Sequence, residues 1–325
     1  MKIAILLLNM GGPNNISEVK VFLNNMFNDK AIIGAPFFIR KFIANKIVKN
    51  RLSEATKNYE LLGGKSPIVE NTKKLVSELN SELDEDVFYI MRYTPPYAYD
   101  VLKNIKNYDR FFIIPLYPHF STTTTLSSLN HLLKALYKLK IDRTKIAWVD
   151  KFYDNEIYNK TIVKRIKEAL KDDDASDFEL VFSAHGLPQK IIDKGDVYMR
   201  HIKQNVYFAR KELLKQGVNF FNTHLAYQSR IGSMEWIKPY LEDKLKSLKK
   251  RKVIIYPIAF LIDNSETKFE LDIEYKEIAT NLGIEDYRVA TAPNSMIKDT
   301  IKDLYKQMCL VSYEVMNRAS SSLKR

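Results

Sequence analysis

A single cysteine, Cys309, stands in a chain of 325 residues. One thiol excludes an intramolecular disulfide, a four-thiolate zinc site and an iron–sulfur cluster held by four cysteines of one chain. Such cysteine usage fits a reducing compartment, and the chain is read as cytoplasmic. Long apolar runs are also missing: no stretch approaches the roughly 20 apolar residues that span a bilayer. Any membrane contact is therefore expected to be peripheral, at the inner face of the cytoplasmic membrane. The apolar opening, residues 3–8, runs directly into Gly11-Gly12-Pro13 without a small-residue cleavage pattern, so it reads as a buried strand and not as a secretory leader. No RNA-recognition motif and no basic stripe interleaved with aromatics appears, and nucleic acid is not expected as a partner. Ser183 lies in no Gly-x-Ser-x-Gly elbow, which removes the nearest hydrolase reading.

What is present describes an ordinary globular chain, 46% hydrophobic and 28% charged. Its length exceeds the roughly 250 residues at which single cores stop growing, so two domains with a cleft between them are expected. Fifty-one basic against 39 acidic residues leave a net charge of +12, which suits an anionic surface or an acidic small molecule without choosing between them. Strand-length branched runs at 2–8, 87–91 and 110–116 alternate with helical periodicity, and the rhythm returns at 178–183, 219–226 and 252–258 after a helix near 155–170. This is the pattern of an α/β fold with parallel sheets covered by helices. The halves end their strands alike: Asn9-Met10-Gly11-Gly12-Pro13 matches Ala184-His185-Gly186-Leu187-Pro188, and Ile114-Pro115-Leu116-Tyr117 matches Tyr256-Pro257-Ile258-Ala259. An internal duplication explains this, as does the bland preference of strand exits for Gly and Pro. If duplication holds, both sheets open their carboxyl ends toward one crevice, where open α/β sheets place ligands.

Two constellations carry chemistry. The run 180–188 delivers His185 off a buried strand, with Gly186 permitting a tight turn. An imidazole there takes a proton near neutral pH or ligates a transition metal; the alternative is a histidine hydrogen-bonded in a loop. The second begins after the strand at 252–258, where Glu266, Glu270 and Glu274 fall at i, i+4 and i+8 and share one face of a helix. Like charges at that spacing cost about 0.2–0.5 kcal/mol per pair, so the row calls for a cation, bound protons or bulk water. With Asp263 it reads as a proton or cation path. An Asp263-x-x-Glu266 capping box accounts for Glu266 alone, but not for the other two.

Phe182-Ser183-Ala184-His185-Gly186-Leu187-Pro188, followed by Gly195-Asp196-Val197-Tyr198, resembles the ferrochelatase signature. Similar motifs run through 8–13, 63–68, 91–93, 117–121, 228–232 and 257–260, so the resemblance covers nearly the whole chain. It implies two similar Rossmann-like, chelatase-like domains, each a parallel sheet flanked by helices, with porphyrin in the cleft between them. The expected division is 1–150 plus 300–325, the last helix folding back, against 151–299 with the metal-insertion residues. The implied activity is that of a lyase: insertion of ferrous iron into protoporphyrin IX, the closing step of haem synthesis. His185 and Glu266 are the implied catalytic and metal-handling pair, placed on opposite sides of the macrocycle. Met10, Lys30, Arg92, Tyr93, Tyr117, Ser121 and Thr122 match positions that line the porphyrin pocket or meet its propionates, a role arginine suits through bidentate pairing. For Tyr117 packing, and for the threonine run 122–125 helix capping, are the plain alternatives.

Iron enters as substrate, no tightly bound cofactor or iron–sulfur cluster is expected, and a monomer is. Met10 stands where coproporphyrin-type enzymes tend to carry tyrosine, favouring protoporphyrin. Asn264 replaces a common histidine, Lys30 a common arginine and Gly186 a frequent serine, the last expected to be harmless. Residues 36–48 mix aromatics with basic side chains and resemble the family's apolar lip, suited to an anionic membrane surface; a core-facing helix is the alternative. The basic run 249–252 reads as a solvated helix end. Rival readings are a chelatase for another substrate, such as cobalt with sirohydrochlorin or iron with coproporphyrin III, and a noncatalytic tetrapyrrole-binding module.

Overall fold

The computed structural model describes residues 1–230, 232 and 234–322, with side chains described as far as residue 311. Ile231, within the 228–232 motif, lies outside the described residues. Eight parallel strands form two sheets. The first holds β1 (Ile3–Asn9), β2 (Asp86–Met91), β3 (Arg110–Pro115) and β4 (Ile146–Trp148) in the order β2-β1-β3-β4. The second holds β5 (Glu179–His185), β6 (Asn222–Gln228), β7 (Lys252–Pro257) and β8 (Asp286–Val289) in the order β6-β5-β7-β8. The two orders are the same topology used twice, which supports duplication over coincidence of punctuation. Parallel neighbours require crossover helices, supplied by segments such as Ile68–Glu82, Ser127–Lys138, Glu156–Leu170 and Tyr198–Lys215.

Each central strand is buried on both faces, and its parity sorts its side chains. From β1, Ile5 and Leu7 enter the core shared with the second half, while Ala4, Leu6 and Leu8 pack outward against Leu102, Leu129 and Leu132. From β5, Leu180, Phe182 and Ala184 enter the shared core, while Val181 faces an outer layer with Leu271 and Ala279. Side chains alternate along a strand, so Ser183 and His185 point the way of Val181, toward the segment carrying Leu271. That parity aims His185.

Three sequence expectations need correcting. The short edge strands β4 and β8 are absent from the sequence pattern because they are half-buried and mixed in polarity, as Asp286-Tyr287-Arg288-Val289 illustrates. The strand expected at 219–226 begins at Asn222 and runs to Gln228. The basic run 249–252 is a turn entering β7, where the Lys249 and Lys250 amides donate to the buried Glu179 carboxylate. The helix Lys298–Ser322 meets the first half: Lys302 Nζ bonds Glu82 at 2.7 Å, the Tyr305 hydroxyl donates to Glu85 at 2.7 Å, and the Tyr305 ring packs edge-on to Phe112.

Candidate active site

His185 closes β5, and the chain leaves through Gly186, whose amide donates to the Gln228 carbonyl at 2.9 Å. A Cβ at 186 would sit 2.8 Å from that carbonyl oxygen and 3.4 Å from the Trp236 ring. Glycine here lets the exits of β5 and β6 close on each other, and a serine in this chain would force one to shift. The backbone of His185 is tied by the Tyr198 hydroxyl, which donates to its carbonyl at 2.9 Å.

Opposite stands Glu266, the first residue of a π-helical segment, Glu266–Glu274. Asn264 supplies its cap, accepting from the Glu266 amide at 2.8 Å and the Thr267 amide at 3.2 Å. The capping role read for Asp263 therefore belongs to its neighbour. The Asp263 carboxylate is 3% exposed and accepts from the Thr267 hydroxyl, the Asn294 side chain and the Ala292 amide. These bonds make it a brace of the loop that leads into Glu266. The wider i→i+5 winding keeps Glu266, Glu270 and Glu274 in one row even though the segment is not the α-helix expected. The row runs from half-buried Glu266 and Glu270 to exposed Glu274.

His185 Nδ1 lies 3.3 Å from Glu266 Oε1, yet it is buried without a hydrogen-bond partner. The remaining exposure, 31% of the His185 side chain and 26% of Glu266, leaves the pair reachable. At this separation no ring fits between the two atoms, unlike the expected arrangement with the macrocycle between them. Burial lowers the His185 pKa, with the Glu270 charge opposing it, which favours the neutral imidazole. Burial pushes Glu266 up to about 7. Burial first, then the Glu266 charge, takes Glu270 to about 7 against the pull of Ser229 and Gln228 donors. Glu274 is also raised, by burial and then by Glu54 and Glu277.

The residues expected around the porphyrin divide. Arg92 Nη2 meets Asp29 Oδ2 at 2.8 Å and its Nε donates to Ser127 at 2.9 Å, which leaves part of the guanidinium fork for a ligand. Asp29, not singled out from sequence, organises this corner: it also takes the hydroxyls of Tyr93 and Ser127. Burial works to raise its pKa, but Ser127, the Ala31 amide and Arg92 hold it below the usual carboxylate range. Its position beside Lys30, just past the C-cap of the helix Val19–Phe27, is the signal the sequence carries. Met10 and Tyr117 are half-buried and Lys30 is exposed. Tyr93, 3% exposed with its hydroxyl on Asp29, belongs to the packing behind the pocket. Ser121 is fully buried, and both it and Thr122 bond Asp196 of the second half, Thr122 through amide and hydroxyl. In this structure the polar groups of these three residues are engaged by Asp29 and Asp196, and Ser121 also caps the following turn by accepting from Thr123.

Among the described residues no cluster of three or more His, Cys, Asp or Glu forms a closed metal cage. An open imidazole–carboxylate pair suits an ion in transit more than a resident one. Two sheets of identical topology, with such a pair at the end of β5 and in the segment after β7, define the chelatase class. SirB from Bacillus subtilis, solved with Fe3+, shares the fold at TM-score 0.58 and 10% identity, covering 97% of this chain and 98% of that one. The sirohydrochlorin chelatase SirB from Bacillus subtilis subspecies spizizenii, solved with cobalt, does so at 0.52 and 10%, covering 92% and 90%.

The sequence relatives are nearer. The ferrochelatase family model matches residues 2–308. A ferrochelatase of Sulfurimonas denitrificans is 47% identical over 314 residues, covering 94% of this chain and 99% of its own. One of Campylobacter concisus is 49% identical over 298 residues, covering 90% and 93%, and one of Helicobacter pylori 42% over 302, covering 91% and 90%. The chain belongs to the ferrochelatase family.

Proposed function

We propose that this enzyme inserts ferrous iron into protoporphyrin IX to give protohaem, with His185 and Glu266 handling metal and protons. The observation that carries the reading is the unpartnered His185 Nδ1, at the carboxyl end of β5, beside a carboxylate of raised pKa. A free porphyrin carries two N–H groups, and each must release its proton for the nitrogen lone pairs to converge on iron. A neutral imidazole and a carboxylate titrating near 7 are matched to that task, since a general base works best with a pKa near the operating pH. The same two groups offer nitrogen and oxygen donors to an arriving ferrous ion. Glu270 and Glu274 extend the row toward solvent as the route for protons or cations. Arg92, Lys30, Tyr117 and Met10 are the proposed contacts for the macrocycle and its carboxylates; Met10 supports protoporphyrin over coproporphyrin.

The helix Phe37–Leu61 begins with an exposed apolar tip, Phe37 59%, Phe38 83%, Ile39 54% and Phe42 73% exposed. A core-facing role is excluded for that tip. At its other end the Tyr59 hydroxyl meets Ser265 at 3.2 Å, immediately before Glu266. One rigid element of about 37 Å thus links the tip to the site. We take the tip, with exposed Lys41, Lys46 and Lys49, as a contact for an anionic membrane surface from which an apolar porphyrin enters. No helix among the described residues is long and apolar enough to cross a membrane. We take the protein as a monomer divided into 1–150 with 300–325 and 151–299.

The test mixes purified protein with protoporphyrin IX and ferrous iron without oxygen and follows porphyrin fluorescence. Quenching with turnover is expected, faster than with coproporphyrin III; unchanged fluorescence removes the reading. His185→Ala is expected to abolish turnover and Glu266→Gln to lower kcat by about 10²–10⁴. A double variant of full activity would void the assignment of these residues.

A further inference from the structure

The exit of β6 holds side chains to which the proposed reaction gives no role. Gln228 is 1% exposed; its Oε1 accepts from the Ser183 hydroxyl at 2.7 Å. Its Nε2 lies 3.1 Å from both the Glu266 carbonyl and Glu270 Oε2. Ser229 donates its hydroxyl to the same Glu270 oxygen at 2.5 Å. One oxygen of Glu270 thus receives two side-chain donors. Ser229 delivers its donor at φ +66°, a left-handed conformation that residues other than glycine rarely adopt. Such strain persists where the surroundings impose it, and it concentrates at functional sites. Gln228 simultaneously ties the first carbonyl of the π-helical segment, so strand exit and acidic row are fastened to each other.

We infer that Gln228 and Ser229 are positioning residues for metal insertion, holding the Glu270 carboxylate in register behind Glu266 as the next proton acceptor. This rests on the proposed function of the His185–Glu266 pair. Each pyrrole N–H breaks heterolytically: the electron pair stays on nitrogen to bind iron, and the proton passes to the pair and onward to Glu270. Two protons leave for each ferrous ion that enters. A Glu270 free to rotate would leave Glu266 loaded and slow the second deprotonation, without weakening porphyrin binding.

The experiment compares Ser229→Ala, Ser229→Gly and Ser229→Asn by steady-state kinetics and thermal melting. Ala loses the hydroxyl and keeps the backbone strain. Gly loses the hydroxyl and relieves the strain. Asn tolerates the left-handed backbone and carries an amide donor. The Ala and Gly variants are expected to lose kcat alike, by about 10-fold, with KM for porphyrin little changed, although Gly melts higher than Ala. Asn is expected to recover most of the rate, and Gln228→Leu to reproduce the loss. Wild-type kcat in both Ala and Gly, or activity that follows melting temperature instead of the donor, would overturn the inference. A wild-type protein that fails to quench porphyrin fluorescence would instead remove the underlying reading.

Discussion

At the residue scale, the site depends on two carboxylates made reluctant to ionise. Glu266 and Glu270 each titrate at about 7 in the folded protein, above their ordinary value. Bound protons therefore favour the fold: their contribution is complete below the ordinary glutamate range and is lost as pH rises through about 7. Activity needs the opposite state, because a protonated Glu266 accepts nothing. Between about pH 5 and 8 the wild type is expected to lose melting temperature while kcat climbs. In the variant carrying Glu266→Gln and Glu270→Gln the pH slope of melting should flatten, as seen by calorimetry across the same buffers. Parallel slopes in the two proteins would mean that these carboxylates are not the raised pair.

At the element scale, the π-helical segment and the long helix Phe37–Leu61 carry the site's acidic row and its apolar approach. The first aligns three acidic residues in one row from the buried pair to solvent. The second presents four large apolar side chains to solvent, a patch that marks an interaction surface when it is contiguous, while its far end reaches Ser265. Replacing Phe38 and Phe42 by glutamate is expected to abolish co-sedimentation with anionic phospholipid vesicles. Surface changes of this kind alter stability by only about 0.5 kcal/mol or less. Turnover with detergent-dispersed porphyrin should then persist, and undiminished vesicle binding would rule out the tip as the contact.

At the scale of the whole molecule, the halves are joined by reciprocal polar contacts beneath the site. His119 Nε2 lies 2.9 Å from Asn205 Oδ1, and the Phe120 amide donates to His201 Nδ1 at 3.2 Å. Asp196 collects the Ser121 and Thr122 hydroxyls and the Thr122 amide on one oxygen, and the Tyr198 amide on the other. Since Tyr198 also anchors the His185 carbonyl, this clasp connects the junction to the site. Asp196→Ala leaves buried hydroxyls unpaired and is expected to lower unfolding stability by roughly 2–4 kcal/mol, measured by urea denaturation. A loss within experimental error would show the halves to be held by their apolar core alone.

Much of this was legible in the residues themselves. Local patterns identify the central strands, since an apolar run buried on both faces has few alternatives. The motif at 182–188 marks His185, and the spacing of Glu266, Glu270 and Glu274 marks their row, because side-chain period is a local property of the chain. What local pattern does not carry is which partner a polar group finds across long sequence separation. Sequence does not show that Asp29 takes the Tyr93 hydroxyl, that Asp196 takes those of Ser121 and Thr122, or that Asn294 and Ala292 donate to Asp263. The 3.3 Å approach of His185 to Glu266 belongs to the same class. The chain by itself chose its strands, its acidic row and its histidine; only the packed tertiary structure decided which of those groups remain free for a substrate, because buried polar atoms must find partners and the fold chooses them.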